Sequence, residues 1–245
     1  MSDISEVSIQ DASLYQNLEG EANSPYLLSK KLRPFDAIEN VLNKLKSCGE
    51  EVCLAAGETM NLSEDEQKSR IILVYQGIFR VHSCRLDERK SDIHFGLMRS
   101  PNIVGFVDGY ADMFNLNFRL SNRLTAETDC AIRILTPQML AQKVDEHDIW
   151  RDISKILAHR LLVLLAKQVE LNGYDAYKKI RSLLLELWIY PEQIRKETNV
   201  LAFIQSRTSI SRSQIMKILA ELKAGKYIRM SNGRLQEMCR LPKSF

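Results

Sequence analysis

The apolar positions of this chain change period three times. From Pro34, Ile38, Val41, Leu42 and Leu45 recur at helical spacing until Gly49, which predicts a helix opening at a proline. Residues 1–33 are rich in Ser, Asn, Asp and Glu, hold no sustained apolar period, and read as a flexible tail. From Val52 to Thr136 the pattern shortens to β-type runs: VCLAAG, IILVYQGIFRVHSCR with Gly77 between two apolar stretches, SDIHFGLM, NIVGFV and RLTAETDCAIRIL. Short strands at this spacing predict an antiparallel sandwich or roll over residues 34–142.

A helical period returns at Lys143 and runs to Gly173, about eight turns at 3.6 residues each. Trp150, Leu157, Leu161, Leu164 and Leu171 share one seam, with Ser154 and Gln168 as its polar members and Lys155, Arg160, Lys167 and Glu170 beside it. Spacing near 3.5 residues with charged flanks predicts a parallel pairing with a second copy; packing on the chain's own β-domain is the alternative. A second stripe (Ile153, Ile156, Leu162, Val163, Leu165, Val169) is expected on that β-domain. Asn172 and Gly173 read as a stop and a hinge. Residues 143–173 thus form a central dimerisation helix, and 174–245 a last domain. That domain opens with a helix from Asp175 to Trp188, with Ile180, Leu183, Leu184 and Leu187 buried and Pro191 closing it.

The last segment carries the chemistry. Val200–Ser206 is a short apolar helix, Thr208 and Ser209 are turn residues, and Ser211 is an N-cap. A second helix runs from Arg212 to Ala224, burying Ile215, Ile218, Leu219 and Leu222 at i, i+3, i+4 and i+7, and Gly225 stops it. YIRM and LQEMC then read as strands joined at Asn232-Gly233, the strongest short hairpin signal. Helix, turn, helix, hairpin is the order of a winged helix-turn-helix. Arg212, Ser213, Gln214 and Lys217 occupy the polar face near the helix start, where first-turn side chains reach base edges in a DNA major groove. Arg pairs with guanine and Gln with adenine there, while Ser209, Ser211, Lys226 and Arg234 are expected near phosphates or the groove rim.

Charge sharpens that reading. Tyr174–Phe245 carries 14 Lys/Arg against 6 Asp/Glu, although the whole chain is only +3. A basic terminal segment suits a phosphate backbone. Composition is that of a globular protein, the N-terminus is acidic rather than signal-like, and no apolar run approaches the roughly 18–20 residues of a membrane span; a cytoplasmic protein is expected. The five cysteines (Cys48, Cys53, Cys84, Cys130, Cys239) are scattered without a CxxC pair and read as buried reduced thiols. No catalytic signature, cofactor site or metal site is expected, and His82 and His94 read as strand or surface residues.

Over residues 34–242 the chain resembles the CRP/FNR (catabolite activator) superfamily, and within it the IprA group of enterobacterial regulators. The likeness is carried by LVYQGIFRVH, LMRSPNIVGF, LTAETDCAIRILT and, most specifically, ISRSQIMKILAELKAGKYI. It implies an α+β architecture: an N-terminal cyclic-nucleotide-binding-like antiparallel β-roll, a long central dimerisation helix and a C-terminal winged helix-turn-helix. Its implied partners are double-stranded DNA, a second copy of the chain and RNA polymerase, with no membrane. Two departures bear on control. Phe106 stands where nucleotide-binding relatives carry a ribose-holding Glu, and Leu120-Ser121-Asn122 falls where their phosphate-holding Arg-Ser/Thr-Ala run belongs. An anion buried there without a cation is costly, so cyclic AMP binding is not expected. The iron–sulfur cysteine cluster of FNR proteins is absent as well. Three readings follow: a homodimeric DNA-binding regulator, a ligand- or redox-responsive sensor with DNA binding as output, and a regulator acting mainly by protein–protein contact.

Overall fold

The computed structural model describes residues 29, 32–62, 69–83, 93–114 and 122–244. The chain divides into two compact units whose boundary falls between His159 and Arg160.

The first unit opens with helix α1 (Phe35–Lys44), which begins after Pro34 and buries Ala37, Ile38, Val41 and Leu42. Eight strands follow: β1 (Glu50–Leu54), β2 (Thr59–Asn61), β3 (Ile71–Gln76), β4 (Ile78–Ser83), β5 (Ile93–Arg99), β6 (Asn102–Val104), β7 (Asn122–Ala126) and β8 (Cys130–Leu135). They form two antiparallel four-stranded sheets, ordered β1-β8-β3-β6 and β2-β7-β4-β5. β3 is apolar at four successive positions because both of its faces are covered. Ile72 and Val74 pack between the sheets with Phe79, Met98, Leu124 and Ile132. Ile71 and Leu73 point the other way, into a layer built from α1, α3 (Pro137–Glu146) and the start of α4 (Trp150–Gly173).

Two sequence expectations are corrected here. NIVGFV is not one strand: Gly105, at φ +102°, ends β6, and Phe106–Met113 is a helix, α2. A Cβ on Gly105 would stand 2.0 Å from the Arg70 carbonyl oxygen, so only glycine passes β3 there. The helical period that starts at Lys143 belongs to two helices. α3 ends at Glu146, Asp148 adopts φ +51°, and α4 begins at Trp150, whose indole Nε1 donates to Asp145 Oδ1 at 2.6 Å.

The second unit holds α5 (Ala176–Trp188), α6 (Glu192–Glu197), α7 (Val200–Gln205), α8 (Arg212–Ala224) and the hairpin β9 (Ile228–Ser231) with β10 (Arg234–Met238). α5 starts at Asp175, whose side chain accepts from Lys178 N. Leu185 is buried on α5, whereas Leu183, expected on that face, is half-exposed. α6 was not expected: Pro191, read as a stop, stands at its N-cap. Among the described residues no helix is long and apolar enough to cross a membrane.

Candidate nucleic-acid interface

The helix-turn-helix is held by local bonds that its own residues supply. Asn199 caps α7, its side chain accepting from Ala202 N at 3.0 Å, and Ser211 caps α8, accepting from Gln214 N at 3.3 Å. α8 buries Ile215, Ile218, Leu219 and Leu222 against α5, α7 and β9. Its C-cap is Gly225, as expected, but the left-handed residue that turns the chain is the next one, Lys226, at φ +59°. Tyr227 N then donates to Leu222 O at 2.9 Å and closes the helix end.

The wing tip has the geometry its dipeptide demands. Asn232 (φ +49°) and Gly233 (φ +74°) are both left-handed, as a two-residue primed turn requires. Val200 N donates to Gly233 O at 2.9 Å, so the first helix of the motif and the tip of the wing are joined directly. Across the hairpin Arg229 pairs with Glu237.

Arg207, a residue that pattern reading passed over, fixes the connector between α7 and α8. Its guanidinium lies 3.7 Å from the Phe203 ring centroid, bonds Tyr190 Oη at 3.1 Å and pairs with Glu186 at 3.4 Å. Tyr190 Oη in turn donates to Glu186 Oε1 at 3.0 Å, and burial holds that phenol well above the ordinary tyrosine range. Nearby, Arg195 is buried over the Trp188 ring and donates to the Trp188 carbonyl at 3.0 Å. These two arginines serve the core of the unit. A basic residue in QSRTSIS gave no sequence signal that separated it from a phosphate contact.

Each expected interface residue is exposed: Arg212, Ser213, Gln214 and Lys217 on α8, Ser211 and Ser209 before it, Lys226 after it and Arg234 on the wing. On α8 itself Arg212, Ser213, Gln214 and Lys217 lie off the buried stripe, which leaves a basic, capped helix free on one side. On α4 the seam residues Trp150, Ser154, Leu157, Leu161, Leu164 and Gln168 are exposed, and Leu171 belongs to the same helix. Leu161 and Leu164 are 56% and 63% exposed, values no core leucine reaches. The second stripe behaves as expected only in its first half. Ile153 and Ile156 are buried under the roll, but Leu162, Leu165 and Val169 are exposed.

In the roll, Phe106 is the first residue of α2 and packs beside the α1 core. Leu120 and Ser121 lie outside the described residues. So does Cys84. Cys130 is buried, but the expectation of buried thiols fails for Cys53 and Cys239, which are exposed, while Cys48 is half-buried. Burial raises the Cys130 thiol, which donates to the carbonyls of Thr128 at 3.1 Å and Ile78 at 3.6 Å. His82 is buried on β4, opposite His94 in register. Among the described residues no group of three or more His, Cys, Asp or Glu side chains could hold a metal ion.

Residues 176–243 match the family model described as winged helix-turn-helix DNA binding. A protein of Escherichia coli (strain K12) named "Inhibitor of hydrogen peroxide resistance" is 27% identical over 183 residues, covering 75% of this chain and 83% of its own length. A protein of the same name from Salmonella typhimurium (strain LT2) is 27% identical over 219 residues, 89% of this chain and 99% of its own. Among solved structures, the c-di-GMP responsive regulator CLP of Xanthomonas campestris aligns at a TM-score of 0.62 and 14% identity, covering 83% of this chain and 100% of that one. The resemblance to CRP/FNR regulators thus extends from short motifs to the fold of both units and to the winged helix-turn-helix.

Proposed function

We propose that this winged helix-turn-helix chain of CRP/FNR-like fold is a sequence-specific transcription regulator of the cytoplasm that binds DNA as a homodimer. The observation that carries the reading is α8: a helix capped by Ser211, buried on one side only, with Arg212, Ser213, Gln214 and Lys217 on its free side. Arg212, Ser213, Gln214 and Lys217 face base edges of the major groove; Ser209, Ser211, Lys226 and Arg234 lie toward the phosphates. The exposed seam of α4, from Trp150 through Leu157, Leu161 and Leu164 to Gln168, pairs, together with Leu171, with the same seam of a second copy. Two-fold symmetry then presents two recognition helices about 34 Å apart, one turn of duplex. RNA polymerase is the further partner such a regulator meets.

The roll does not bind cyclic AMP in this reading. An aromatic residue, Phe106, opens α2 where a ribose-binding carboxylate is needed, and it packs toward α1. The names of the Escherichia and Salmonella relatives suggest that the regulated programme concerns hydrogen peroxide resistance.

Selection of bound sequences from a random duplex pool, followed by salt titration, tests the reading. Affinity should fall steeply with salt as phosphate contacts release counterions. Arg212→Ala should cost about 1–3 kcal/mol and relax preference at one base pair. Salt-independent binding, or an operator indifferent to Arg212→Ala, overturns it.

A second reading, a sensor of oxidant, is favoured by the exposed thiols of Cys53 in the roll and Cys239 after the wing. Replacing all five cysteines decides it: an unchanged peroxide response of DNA binding removes the thiol version.

A further inference from the structure

α8 carries one large apolar side chain that its fold does not use. Ile215, Ile218, Leu219 and Leu222 are all 9% exposed or less, whereas Met216 is 47% exposed. It follows Arg212 by one turn, and of its other helical neighbours Ser213 and Ala220 are exposed while Leu219 is buried. Arg212, Ser213 and Ala220 are small or flexible, so the exposed side chain of Met216 stands beside groups suited to base edges. It is the one large apolar side chain exposed on this helix.

We propose that Met216 reads the 5-methyl group of a thymine and sets base preference at one position of each half-site. The proposal rests on α8 being the helix that enters the groove. In the major groove thymine is the base that offers an apolar group, its C5 methyl, and contact with a side-chain hydrocarbon is how that group is recognised. A methionine suits it, since an unbranched, polarizable thioether adjusts to a small methyl without a fixed pocket. Four residues of helix advance about 6 Å, close to two base-pair steps of about 3.4 Å. The methyl read by Met216 therefore lies one or two pairs from the base read by Arg212.

The test uses the full chain and its selected operator. Each thymine of one half-site is replaced by deoxyuridine, which deletes the methyl and leaves every hydrogen-bonding edge intact. Duplex affinity is then measured at fixed salt. One position should weaken binding of the unaltered protein about four-fold, the worth of one buried methyl. Met216→Ala should be indifferent at that position and Met216→Leu should remain sensitive. Because Met216 is exposed, both variants should keep the thermal midpoint of the parent. If an operator is selected but no deoxyuridine position separates the parent from Met216→Ala, the proposal is wrong and the DNA-binding reading stands. If no operator is selected and duplex binding shows no salt dependence, the underlying reading has failed instead.

Discussion

Val200 gives its amide hydrogen to the carbonyl of Gly233 at 2.9 Å, a backbone bond between distant residues that ties the wing tip to the first helix of the helix-turn-helix. The bond requires the left-handed Gly233 (φ +74°), where a Cβ would also come within 2.7 Å of Asn199 Nδ2. Gly233→Ala should therefore destabilise the protein by about 1–3 kcal/mol in denaturant unfolding. Asn232→Gly, which keeps the turn's signs, should be nearly neutral. Equal effects of the two would remove the conformational argument.

Arg207 sits under the connector with a side chain only 9% exposed, and its carboxylate partner, Glu186, is 24% exposed. Arg207→Met keeps the stem over Phe203 but strands that carboxylate beside Tyr190. The expected loss is about 2 kcal/mol, below the roughly 3–5 of a fully buried broken pair because Glu186 retains some water. Adding Glu186→Gln should recover part of it, a non-additivity that a double-mutant cycle measures.

Thiol reactivity should follow burial. Burial raises Cys130 above its ordinary value of 9.0, so at neutral pH it stays protonated and should alkylate far more slowly than the exposed Cys53 and Cys239. Peptide mapping after timed alkylation reads this directly. The sign for stability follows: above about pH 9 the unfolded chain ionises this thiol while the folded chain resists, so its contribution is lost as pH rises. Cys130→Ala should flatten that alkaline decline.

Leu161→Lys and Leu164→Lys place charge on the exposed seam of α4 without touching the roll's core. Sedimentation should report a shift from dimer to monomer, and operator affinity should fall with it. A parent chain that sediments as a monomer at operator-binding concentrations would remove the pairing altogether.

The features that sequence reading found are those encoded by neighbouring residues. Ser211, the Ile215–Leu222 stripe and Asn232-Gly233 each impose a cap, a face or a turn within a few positions, and α8 begins and ends where they say. Misreadings occurred where the deciding contact is distant or the signal is weak. Asp148 breaks α3 from α4 with no Gly or Pro at the break, so an apolar period ran through it. Gly105 has the sequence setting of a strand interior, but the Arg70 carbonyl, from the segment beside β3, excludes a side chain there. α6 is six residues long with two buried side chains, Ile194 and Arg195, too few to set a period. The candidate interface was legible residue by residue because exposure on a capped amphipathic helix follows from its pattern; Arg207 was not, since its partners lie on other helices.

Both ends of α8 are closed by the chain itself, at Ser211 and through Tyr227 to Leu222. If α8 is the helix that enters the groove, as proposed, it needs no duplex to complete it. Association then has no ordering entropy of that helix to repay, and its heat-capacity change should scale with the contact area alone rather than carry the larger signature of coupled folding. Differences in affinity between operators should accordingly appear in how long a complex lasts, not in how fast it forms.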